Sequence, residues 1–167
     1  AIRWLAPGAA AAGAEHLFDI EIFPVCSPKL ARDRSRPLKC PSDLSQHVIL
    51  DFDTVTGRGT WSDWQQWLAG MKLDLTPAGN LRFSHFDQVT QAAINGSGVA
   101  MGRIPHNVRH LRDGQLIAPF GSQARLRFGC YVAVMARRSA ERPIVGKFLA
   151  WLRDEIHSDR KIRTVAA

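Results

Sequence analysis

Apolar positions along this chain switch repeatedly between a spacing of two and a spacing near 3.6. Leu17 to Phe23 alternates and predicts a strand, and Leu126 to Ala136 alternates over the longest stretch. His47 to Leu50, Leu81 to Phe83 and Gly98 to Gly102 are short runs of strand length, and Leu116-Ile117 is a briefer one. Ala1 to Trp4 reads as the end of a strand. Helical spacing fills the gaps. Trp61, Trp64, Trp67 and Leu68 share one helix face, with Thr60 placed as N-cap, Asp63 at N3 and Gly70 at the end. Ser84 is placed to cap a second helix with Asp87 at N3, an apolar face of Phe86, Val89, Ala92 and Ala93, and a stop at Asn95-Gly96. Pro105 to Arg112 predicts a short helix closed by Gly114. Pro143 opens the last helix, which is expected to bury Ile144, Phe148, Leu149, Trp151, Leu152 and Ile156. Strands alternating with helices predict an α/β fold with largely parallel pairing.

The alternation breaks at Phe23-Pro24-Val25-Cys26-Ser27-Pro28. Each proline lacks a donor and fixes its own φ, so a regular ladder is not expected to continue through it. This segment reads as an outgoing crossover between two lobes, and Leu126 to Ala136 as the return. The expected organisation is residues 1–24 for the end of a first lobe and the outgoing strand, and 25–124 for a second lobe. Residues 125–157 are the return strand and final helix of the first lobe, and 158–167 a tail.

Composition narrows the class. A chain of 167 residues with 46% hydrophobic content can build a core, and no apolar run reaches the length of a membrane span. Three cysteines, Cys26, Cys40 and Cys130, make no even framework, which favours a reducing, cytoplasmic setting. The net charge of +7 invites a nucleic-acid reading. Yet Arg32, Arg34 and Arg36 fall in one loop and Arg160, Lys161 and Arg163 in the tail, with no recognition-helix pattern. Solvated loop and terminus explain both groups.

No enzyme motif stands out. Gly96-Ser97-Gly98 lacks nucleophile-elbow spacing, and Gly57-Arg58-Gly59 lacks the rest of a dinucleotide fingerprint. His106 and His110 share a helix face but not the glutamate of a zincin. The tryptophan row fits a core better than a stacking platform. No cofactor and no metal are expected. The leading binding candidate is the strand-to-helix turn carrying Ser84, His85 and Phe86, where backbone N–H groups and the helix dipole favour an anion. Ser84 as a plain N-cap and His85 as a surface residue are equally consistent with the sequence. Further candidates are Val25, Cys26 and Ser27 at the crossover, Cys130 and Tyr131 on the return strand, and Asp51 at a strand end, where it could meet an amine.

The ordered set FPVCSPKLA, PLKCPSDLSQHVIL, WSDWQQWLAG, QAAINGSGVAMG, LRDGQLIAPF, YVAV and FLAWLRDEI resembles the effector-binding domain of LysR-type transcriptional regulators, in the subgroup around the glycine-cleavage activator. The resemblance spans Ala1 to about Ile156. It implies a two-lobed fold like the periplasmic binding proteins, with the first lobe incomplete here and the winged helix-turn-helix absent. It implies a bacterial, cytoplasmic, non-enzymatic module that binds a small anionic metabolite in the inter-lobe cleft. It also implies assembly as a homodimer or homotetramer, with DNA met only through the absent domain and no membrane partner. Effector contacts are implied at the outgoing hinge, the second-lobe helix start and the return strand. A solute-binding protein of a transporter is the alternative with the same fold.

Overall fold

The computed structural model describes residues 1–9, 11–52, 63–136 and 142–163, with side chains described as far as Ser158. Thr60 and Trp61 of the expected tryptophan helix lie outside them. The chain packs as two units, residues 1–21 with 127–167, and residues 22–126.

The first unit holds β1 (Ile2–Leu5), the first part of β2 (Ala14–Val25), most of β6 (Leu126–Val134) and α5 (Pro143–Arg163). Its strand order is β1-β6-β2, and β1 runs antiparallel to β6 with Trp4 opposite Tyr131 and Leu5 opposite Cys130. Leu17, Ala133, Leu149 and Ile156 are its buried cluster, with Phe18, Tyr131, Met135, Val145 and Leu152 packed against them. Arg153 of α5 donates both Nε and a terminal nitrogen to the Glu15 carboxylate, each at 2.7 Å. Three of the six apolar residues expected to be buried by α5 are instead open: Ile144, Phe148 and Trp151 are 62%, 46% and 55% exposed. They lie outside the stripe that Leu149, Leu152 and Ile156 turn toward the strands. Helix α5 also continues past residue 157 to Arg163, where a tail was expected.

The second unit has the strand order β2-β5-β3-β4, with β3 at Val48–Phe52, β4 at Gly79–Phe83 and β5 at Val99–Ile104. Strand β3 is parallel to both β4 and β5. Its helices are α1 (Pro28–Ala31), α2 (Asp63–Gly70), α3 (Phe86–Ile94) and α4 (Val108–Arg112). Trp64 and Trp67 are core, as their spacing predicts: Trp64 donates to the Leu50 carbonyl at 3.0 Å and Trp67 to the Ala124 carbonyl at 2.7 Å. Each buried indole N–H therefore has an acceptor. Leu116-Ile117 is no strand; Ile117 makes a single antiparallel bridge with Cys26.

Strand β2 runs through Pro24 to Val25 rather than breaking before it. A strand accommodates proline where its missing N–H has no ladder bond to make. Gly98 has a steric reason to be glycine: a Cβ there would collide with the Val48 carbonyl oxygen. That close approach seats β5 beside β3.

Candidate functional site

The parallel strands of the second unit fix two distinct edges. Register pairs Val48 with Gly79 at one end of β3 and Phe52 with Phe83 at the other. Ile49 pairs with Val99 of β5, so Arg103 and Ile104 extend the Phe52 end. Polar side chains gather at this carboxyl end. Open α/β sheets bind their ligands outside such an end.

Arg103 is the centre of the group. Its Nε donates to Asp63 Oδ2 at 2.8 Å, and a terminal nitrogen contacts the same oxygen. The guanidinium carbon lies 5.6 Å from the Phe52 ring centroid and 5.1 Å from that of Phe86. Arginine suits this position because a planar, weakly hydrated cation can stack on aromatic faces and pair with a carboxylate together. Phe52 and Phe86 themselves meet edge to face at 6.1 Å. His106 meets the Phe86 ring at 5.7 Å. Asn107 supports the turn from beneath: its Oδ1 accepts the Arg103 N–H at 2.8 Å, and its Nδ2 donates to Thr90 Oγ1 at 3.3 Å.

The electrostatics follow from burial. Asp51 and Asp63 are both buried, at 5% and 6% exposure. Burial pushes the Asp63 carboxyl above its usual range; Arg103 opposes that shift and Asp51 adds to it. Arg82 Nε lies 4.0 Å from Asp51 Oδ2. His106 is held below its usual value, first by burial and then by Arg103, against a smaller pull from Asp87. It is thus neutral near pH 7.

Helix α3 starts one residue later than its sequence predicts. His85, not Ser84, is the N-cap, with extended backbone at φ −130° and ψ 134°, and no side chain caps the helix. The His85 carbonyl accepts from Gln88 and Val89 at 3.2 and 3.4 Å. The first N–H groups of an α-helix have no partner within it. Ser84 and His85 are exposed, while Phe86 is half-buried against Arg103.

The structure brings Asp51, Ser84, His85 and Phe86 to this one edge, but not the other candidates. Val25, Cys26 and Ser27 are buried on the outgoing strand and lead away from that edge, Val25 beside Gly102 and Ser27 beside Gly96. Gly96, which precedes β5, sits beside Ser27 Oγ, whereas Gly102 sits beside Val25 and Phe23, so β2 and β5 run in opposite directions. Ser27 is occupied as N-cap of α1, accepting the Leu30 N–H at 3.2 Å. Burial pushes the Cys26 thiol up to about 12. Cys130 and Tyr131 belong to the first unit, where Tyr131 packs on Phe18 at 5.2 Å. His110 is bonded to Gln115 at 2.7 Å, away from His106. Sequence reasoning missed Arg103, Asp63 as an ion-pair partner, and Asn107. One signal was available: Arg103 is the sole charge in the apolar run Val99–Ile104.

Two α/β units that share the strands β2 and β6 are the architecture of the periplasmic-binding-protein-like fold class. Within that class the match is specific: the profile of the LysR substrate binding domain covers residues 1–156. The chain belongs to this family of transcriptional-regulator domains. It is 28% identical over 141 residues to the HTH-type transcriptional regulator DsdC of Escherichia coli K12, across 84% of this chain and 45% of that protein. It is 30% identical over 139 residues to the glycine cleavage system transcriptional activator of the same organism, across 83% of this chain and 43% of that protein. The chain thus spans less than half the length of these curated relatives. The effector domain of AmpR from Pseudomonas aeruginosa superposes with a TM-score of 0.71 at 24% identity, over 98% of this chain and 74% of that one. These relatives are transcriptional regulators. Among the described residues no helix is long and apolar enough to cross a membrane.

Proposed function

We propose that the carboxyl edge of the second unit is this domain's contact for a small metabolite carrying a carboxylate and an amine. The observation that supports it is the convergence on one edge of an uncapped helix start and a buried carboxylate. The N–H groups at the start of α3 and the His85 side chain receive the anionic group. Asp51 meets the amine. The Arg103–Asp63 pair holds Phe86 and the strand ends in register between them. The effector stabilises one arrangement of the domain over another, and this difference biases a larger cytoplasmic bacterial regulator that assembles as a homodimer or homotetramer. DNA contact lies with a helix-turn-helix outside these residues.

Calorimetric titration of the full-length regulator with α-amino acids as probes tests this. Ser84→Leu crowds the helix start and His85→Ala removes its ring N–H donor. Both are exposed, so folding should survive, and each variant is expected to lose affinity at least tenfold. Unchanged affinity in both variants places the contact elsewhere, most directly around Tyr131.

A further inference from the structure

The first unit carries a second chemical cluster that the effector reading does not use. His16 and Asp19 stand on β2, and Cys130 stands on the neighbouring β6. One ligand atom from each, a ring nitrogen, a carboxylate oxygen and a sulfur, lies within 4.8 Å of both others. His16 Nε2 and Asp19 Oδ1 are 2.9 Å apart. A strand normally sends residues three apart to opposite faces. Here burial falls on Leu17 and then Ile20, so the alternation slips within the strand and lets His16 and Asp19 meet. On β6, Gly129 at φ +146° makes a matching irregularity next to Cys130, where a Cβ would collide with the Leu5 carbonyl.

Tetrahedral zinc, bound at about 2.0–2.3 Å by nitrogen, oxygen and thiolate, separates its ligands by roughly 3.3–3.8 Å. Reaching that size needs His16 and Asp19 to part slightly from 2.9 Å and Cys130 to close by up to about 1 Å, from side chains that are half-buried or exposed. Three ligands with one position left to water is a familiar zinc arrangement. A thiolate together with an imidazole selects zinc and similar borderline or soft ions over magnesium or calcium.

We propose that His16, Asp19 and Cys130 form a binding site for a divalent transition metal, with zinc as its natural fit. Arg127 is the competing group, since its terminal nitrogen lies 2.7 Å from Asp19 Oδ1. That side chain is 66% exposed, and surface ion pairs contribute on the order of 0–1 kcal/mol, so the metal displaces it. Binding releases the Cys130 thiol proton to solvent as the thiolate coordinates; no oxidation is involved. The site ties β2 to β6 within one unit, and it stands independently of the effector reading.

Cobalt(II) and zinc titrations of the 167-residue chain under reducing conditions test the proposal. One cobalt per chain should produce a thiolate-to-cobalt charge-transfer absorption, displaced by zinc. Cys130→Ser should abolish that absorption, while Cys40→Ser, at the exposed cysteine, should leave it intact. His16→Ala and Asp19→Asn should each weaken zinc binding tenfold or more. Arg127→Gln should tighten it severalfold, an effect no structural role for the arginine would give. Iodoacetamide labelling gives an independent reading, in which zinc should slow alkylation of Cys130 and not of Cys40. No charge-transfer band in the parent chain, a band that survives Cys130→Ser, or affinity unchanged in both His16→Ala and Asp19→Asn would overturn the assignment.

Discussion

Replacing Arg103 by Met tests the centre of the second-unit cluster. Methionine keeps an unbranched stem of similar reach and removes only the guanidinium. Asp63 then stays buried, its side chain 8% exposed, beside the buried Asp51 and without the cation that offsets its desolvation. Removing one partner of a buried pair costs about 3–5 kcal/mol. Arg103 is itself 17% exposed, which places the effect near the lower figure even with loss of the stacking on Phe52 and Phe86. A loss of about 3 kcal/mol lowers Tm by roughly 6–12 °C in a chain of this size. The sign with pH is specific. Burial already raises the Asp63 carboxyl, and losing Arg103 raises it further. The variant's deficit is therefore largest near neutral pH and shrinks as acid protonates Asp63. Urea unfolding of parent and variant at several pH values measures this, with Asp63→Asn added to the variant expected to restore about half the loss. A deficit below 1 kcal/mol at pH 7, or one that grows on acidification, would refute the reasoning.

Gly98→Ala should cost about 1–3 kcal/mol, because the new methyl meets the Val48 carbonyl and forces β5 from β3; an unchanged urea midpoint would contradict the close approach. His106 has a folded-state value below its ordinary one, so the unfolded chain binds its proton first and stability falls as pH drops through about 6.5. His106→Gln should flatten that segment of a pH–stability curve. Cys26 is shifted the other way, from 9.0 to about 12, so stability is lost as pH rises through that window, by about 1.4 kcal/mol per pH unit, and Cys26→Ala should remove the slope. The exposed Ile144, Phe148 and Trp151 should make the isolated chain self-associate, and Trp151→Glu should shift sedimentation toward monomer.

Much of the α/β frame was legible because burial imposes period. Trp64 and Trp67 could be assigned to the core from spacing alone, and their indole bonds to Leu50 and Ala124 explain why they fit there. The same reasoning overreached at α5, where Ile144, Phe148 and Trp151 are apolar but fall off the face that Leu149 and Ile156 define. At the proposed site, the helix start was readable within one residue. Ser84 and His85 both resemble caps in sequence, and only backbone dihedrals separate them. Val25, Cys26 and Ser27 were candidates as the outgoing crossover, where the family resemblance implies an effector contact. Antiparallel placement of β2 against β5 leads them away from the carboxyl edge, from Val25 beside Gly102 to Ser27 beside Gly96. Arg103 with Asp63, and Cys130 with His16, are pairings across 40 and more than a hundred residues. No local pattern encodes contacts at that separation; register does.

The central claim is that the carboxyl edge of the second unit receives the effector. Amide chemical shifts of the isotopically labelled chain, titrated with a panel of α-amino acids and short carboxylic acids, test it most directly. At least one amino acid should give saturable shifts centred on His85, Phe86 and Asp87, with Asp51 responding to the amine and the matching des-amino acid binding more weakly. Saturable shifts centred on Val25 to Ser27, with the α3 start unmoved, would contradict it.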